Sequence, residues 1–160
     1  MIFIKKLKEC ATEKLLSDLR DALLNDCGFN LDFIRSKLWA TISWDDHQFF
    51  DEDAIYLEQA LLDLSLSKIY VACIDDIFSK SFYDIDVQEV DIDRHSIEEL
   101  HNPYNDMTMS NSVIFSAPYL EFLIFMPCTF ERDLYIAGTS EFLKCVSKGA
   151  GWEPILLYKS

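Results

Sequence analysis

The segment YLEFLIFM at 119–126 is apolar at odd and even positions alike, interrupted only by Glu121. Strand side chains alternate between the two faces of a sheet, so a strand like this has no face to give to water and belongs in the middle of a sheet. The run, continued to LEFLIFMPC, is too short to cross a bilayer. It predicts a sheet wide enough to supply neighbours on both sides of it.

Those neighbours are sought among the other apolar segments. SVIFSA (112–117) precedes it across Pro118, KIYVACI (68–74) is rich in β-branched and aromatic residues, and DLYIAG (133–138) and EPILLYKS at the C-terminal end complete the set. LWATISW (38–44) alternates as a short strand does, while the preceding LDFIRSK suits a helix.

Leu7, Ala11, Leu15, Leu19 and Leu23 recur every four residues and predict an amphipathic helix over 5–27, with Gly28 as its left-handed cap. In FDEDAIYLEQALLDLSL the acids lead and Ala54, Leu57, Leu61 and Leu64 share a face, a second helix starting near Asp51. Thr139 or Ser140 caps a third, SEFLKCVSK, with Phe142, Leu143 and Val146 inward and Gly149 and Gly151 beyond it. No repeat or linker divides the chain. The expectation is one domain over 1–160 of the α+β (or α/β) class: a single mixed or largely antiparallel sheet of about five or six strands with packed helices.

Fourteen basic against 28 acidic residues give a net charge of −14. That repels nucleic acid and anionic membranes and favours a basic protein as partner. The acids concentrate in YDIDVQEVDIDRH (83–95), where Asp84 and Asp86 alternate with Ile85 and Val87 before the parity shifts at Gln88-Glu89. The alternation is that of a half-buried strand with its carboxylates outward, and a bulge or tight turn at Gln88-Glu89, one extra residue, keeps Ile85, Val87, Val90 and Ile92 on one buried face. Asp84, Asp86, Asp91 and Asp93 then line the other face, either as the charges that guard an edge strand against aggregation or as a surface for a basic partner. For the second role Tyr83, Glu89 and, in the loop HNPYNDMTMSN, Tyr104 complete an acidic rim around aromatic anchors. A calcium loop is disfavoured, because the segment has no glycine for the turn and interposes apolar residues among its carboxylates.

Motifs for catalysis are missing. With four glycines in the chain there is no phosphate-cradling loop, and neither a GxSxG elbow nor HExxH occurs. No cofactor is expected. The nearest to a general acid–base pair is SWDDHQFFDED, around His47, and residues adjacent on a loop seldom converge on one substrate atom. Cys10, Cys27, Cys73, Cys128 and Cys145 form no CxxC pair and suit reduced core thiols of a cytoplasmic protein, folded without metal as a monomer or weak dimer.

In size, acidity, 14% aromatic content and lack of catalytic motifs, the whole chain resembles the small acidic immunity proteins that neutralise bacterial toxins in contact-dependent inhibition and related polymorphic toxin systems. Those proteins share no motif, so the resemblance transfers no residue. It implies a non-enzymatic inhibitor that covers the active site of a basic toxin domain, typically a nuclease. Two alternatives stand beside it: a small enzyme with a site near His47, and an acidic mimic of nucleic acid.

Overall fold

The computed structural model describes residues 2–24, 28–44, 49, 51–100, 110–128 and 134–149. In chain order the elements are β1 (Ile2–Lys6), a 3-10 turn (Leu7–Glu9), α1 (Glu13–Ala22), β2 (Leu23–Leu24), β3 (Gly28–Phe29), α2 (Leu31–Ser36), β4 (Ala40–Trp44), α3 (Glu52–Asp63), β5 (Lys68–Cys73), α4 (Ile74–Ser79), β6 (Asp86–Asp91), α5 (Arg94–Glu99), β7 (Ser112–Phe115), β8 (Phe122–Met126), β9 (Leu134–Gly138), α6 (Ser140–Val146) and a closing 3-10 turn (Ser147–Gly149). Seven strands form one sheet in the order β1-β6-β5-β7-β8-β9-β4, every neighbouring pair antiparallel. β2 and β3 make a separate two-stranded ribbon. This is an α+β fold with helices packed on a large antiparallel sheet.

The central strands of the sheet are buried on both faces. Ile124 and Phe122 of β8 join a core with Leu57 and Leu61 of α3, Ile97 of α5 and Phe142 and Val146 of α6. Leu123 and Phe125, the alternate residues, join a second core with Leu15 and Leu19 of α1, Ile34 of α2 and Ile77 of α4. All five residues of β8 are buried, which is the two-sided burial its composition predicts.

Two expectations are corrected at the N-terminal end. The helix placed at 5–27 spans only Glu13–Ala22, because the Thr12 side chain accepts from the Leu15 amide at 3.2 Å and starts it there. The preceding residues pair with β6 instead, and Leu7 reaches the core from a 3-10 turn. Gly28 is not a helix cap: its φ of +112° falls in β3, and α1 ends where Leu23 turns extended.

Helix ends elsewhere also use residues other than glycine. After α2 the Trp39 amide donates to the Ile34 carbonyl and the Leu38 amide to Arg35, with Leu38 left-handed at φ 58°. That is a Schellman closure, and its apolar contact joins Trp39 to Ile34 in the second core. Leu38 therefore belongs to the turn, and the strand begins at Ala40. α3 closes the same way, with Ser65 at φ 61° and the Leu66 amide on Leu61. The third helix begins at its Thr139 cap as expected, whereas the terminal strand EPILLYKS lies outside the described residues.

Candidate functional site

β6 carries the acidic stretch, and it is neither bulged nor at an edge. Asp86 to Val90 pair one for one with β1, and Gln88 to Asp91 with β5. The parity shift needs no extra residue because both faces of the sheet are cores: Ile85 and Val87 belong to one, Val90 and Ile92 to the other. The expected bulge rested on one-sided burial.

Lysines on both neighbouring strands engage the carboxylates. Lys6 lies opposite Asp86 with Nζ at 2.7 Å from its carboxylate, and Lys5 reaches Glu89 at 2.9 Å. On the other side Lys68 lies opposite Asp91 and forms an ion pair with it, which holds the Asp91 carboxyl below its ordinary pKa. Glu89 is buried and also accepts from the Tyr70 hydroxyl at 3.4 Å. Burial, with lesser contributions from Cys10 and Glu89, pushes that hydroxyl's pKa up to about 12.

The flanking acids are also engaged. Asp93 caps α5, accepting from the Ser96 amide at 2.8 Å and its hydroxyl at 3.1 Å. Asp84 sits in the turn before β6, where the Ser81 hydroxyl donates to it at 2.9 Å. Tyr83 is exposed, its hydroxyl 3.3 Å from Glu13 and its ring beneath Lys8 at 6.0 Å. Tyr83, Asp84, Asp86, Glu89, Asp91 and Asp93 are thus brought together along one strand and its ends, but as partners of the protein's own side chains and main chain. Tyr104 and His47 lie outside the described residues.

A second acidic region, less dense in acids, lies at 38–67. From Leu38 to Ser67 there is no lysine or arginine, and Asp45, Asp46, Asp51, Glu52, Asp53, Glu58 and Asp63 contribute seven of the fourteen net negative charges. α3 lies inside this stretch. Ala54, Leu57, Ala60 and Leu61 face the core, leaving Glu52, Ile55, Gln59 and Leu62 as an outward stripe at helical spacing, with Glu58 and Asp63 beside it. Ile55 and Leu62 are 43% and 46% exposed. Glu52 and Glu58 have no ion-pair partner among the described residues, while Asp63 accepts from Gln59 at 2.8 Å. Arg94 reaches Asp51 at the start of α3 and also pairs with Glu98. The absence of bases over 38–67 is the feature of the sequence that marks this region.

Two of the thiols are held away from their reactive form. Burial, then Glu89, drives the Cys10 thiol to about 11, and burial with Asp76 and Asp75 raises Cys73, both away from the reactive thiolate. Cys145 is buried and Cys128 is exposed, so Cys128 is not the core thiol expected. Among the described residues no group of His, Cys, Asp and Glu is arranged to hold a metal ion, and no helix is long and apolar enough to cross a membrane. An open cleft of about 360 Å³ runs between Leu64–Lys68 and Ala117–Tyr119, but no histidine or cysteine lines it. Family models, curated proteins and solved structures give no match to the chain.

Proposed function

We propose that the protein binds and neutralises a basic protein, as the immunity proteins it resembles do, and that α3 is the element presented to that partner. One observation carries the reading: the outward stripe of α3 holds half-exposed Ile55 and Leu62 with Glu52, and Glu58 and Asp63 flank it, in a stretch that has no base of its own. Apolar anchors framed by uncompensated charge suit a protein surface of opposite sign, where the charges speed encounter and the anchors slow release. A toxin domain that acts on nucleic acid has the required basic surface. The partner is chosen by charge and shape, and the inhibitor contributes no chemistry.

The test begins with isolating the partner bound to the chain in its native source and purifying both. Association should slow as salt rises, and Glu52→Gln, Glu58→Gln and Asp63→Asn together should lower the association rate at low salt on the order of tenfold. A partner that is acidic, or an association rate indifferent to both salt and the triple variant, contradicts the proposal.

A further inference from the structure

The two edges of the main sheet are built differently. At β4, Thr41 and Ile42 point to opposite faces and both are fully buried, so the edge is enclosed. At β1, Phe3 and Ile4 also point to opposite faces, yet they are 47% and 61% exposed.

The hydrogen-bonding phase of β1 identifies which groups are open. The Leu7 amide donates to the Ile85 carbonyl at 2.8 Å in line with the β1–β6 register, so by antiparallel alternation Phe3 and Lys5 bond inward to β6. Ile2, Ile4 and Lys6 then direct their main-chain groups to the open side. The Lys6 amide confirms the phase, since it is taken by the Glu9 carboxylate at 2.7 Å. What remains is a short strip of main chain at Ile2 and Ile4, flanked by exposed apolar side chains and closed at one end by Glu9.

We infer that this edge pairs with the same edge of a second copy of the chain, β1 antiparallel to β1 about a two-fold axis, joining the two sheets into one. Self-pairing fits for three reasons. The sequence Ile2-Phe3-Ile4 is complementary to itself, and a two-fold places identical strips face to face. Centring the axis on Ile4 would need the Lys6 amide, which Glu9 occupies. Centring it on Phe3 pairs Ile2 with Ile4 of the other copy through about four main-chain hydrogen bonds and brings the two Phe3 rings together at a close, non-hydrogen-bonded position. Charge also permits it: each copy carries −14, but Lys5 and Lys6 are matched by Glu89 and Asp86, so this side is close to neutral where a strand approaches.

The dimer is independent of the partner reading and has the opposite response to salt. Screening weakens attraction to a basic partner and relieves repulsion between two acidic copies, so dimerisation should strengthen with salt. Sedimentation equilibrium of the full chain should show a concentration-dependent dimer, more so at high salt. Ile4→Pro removes a donor that points away from β6 and should raise the dimer dissociation constant roughly tenfold or more. Phe3→Lys should do the same without touching the main chain, which keeps the test valid should the proline variant fail to fold. Amide exchange at Ile4 should slow as the dimer forms. A chain that stays monomeric at every concentration and salt, or a dimer unaffected by Phe3→Lys, overturns the inference. An edge shielded only when the purified basic partner is added also overturns it and assigns β1 to that partner.

Discussion

Two acidic regions of the chain differ in what surrounds their carboxylates. In 83–95 the carboxylates lie on and beside a strand flanked by Lys5, Lys6 and Lys68, and the structure uses each of them internally. In 38–67 the acids have no lysine or arginine within their own segment, and α3 presents Glu52, Ile55, Gln59 and Leu62 toward solvent. Acid density therefore does not show which carboxylates are matched; the cations that the sheet register brings beside them do. Charges already matched by neighbours exert little field at a distance, whereas unmatched ones steer an approaching partner.

The largest expected effect lies in the matched region. Glu89→Ala leaves the buried Tyr70 hydroxyl without its acceptor and should destabilise the fold by about 1–3 kcal/mol in urea titration. Glu52→Gln, Glu58→Gln and Asp63→Asn should each fall within about 0.5 kcal/mol, as surface changes do. Equal losses in the two regions would erase the distinction. Next, Ile55→Ala with Leu62→Ala should speed dissociation from the purified partner on the order of tenfold while unfolding stays close to wild type, because anchors act on release.

Asp93→Ala should cost about 1 kcal/mol through loss of the α5 cap, whereas Asp93→Asn should be nearly neutral since asparagine caps as well as aspartate. The smallest effect is a matter of pH. Lys68 depresses the folded-state pKa of Asp91, so the pair contributes stability above the ordinary carboxylate range and loses it as pH falls through the depressed value. The stability difference between wild type and Asp91→Asn should therefore be visible at neutral pH and vanish in acid. A difference that grows on acidification would mean the carboxylate is not held by Lys68.

How much of this was legible in the sequence depended on whether the deciding contact was local. β8 was readable because its own residues are apolar on both faces, and α6 because Thr139 sits beside the helix it caps. β1 was not, since the four-residue spacing from Leu7 to Leu23 is met equally by a continuous helix and by a 3-10 turn followed by one. Glycine was a poor guide to helix ends in a chain where Leu38 and Ser65 take the left-handed positions. The two-sided burial recognised in β8 extends to β6, and assuming a single buried face there produced the unneeded bulge. The lysines that match the β6 acids come from distant points in the chain and meet them only through the sheet register. The lack of bases around α3 was local and could have been read directly.

The most direct test of unequal roles for the two regions is a pair of charge-removal variants compared by association kinetics with the purified partner and by equilibrium unfolding. One combines Glu52→Gln, Glu58→Gln and Asp63→Asn; the other combines Asp86→Asn, Glu89→Gln and Asp91→Asn. The account predicts a crossing: the α3 variant keeps its stability and associates more slowly with a flatter salt dependence, while the β6 variant is less stable and associates at close to the wild-type rate. If instead the β6 variant loses the association rate and its salt dependence while the α3 variant binds as wild type does, the partner meets the 83–95 stretch, and the assignment to α3 is contradicted.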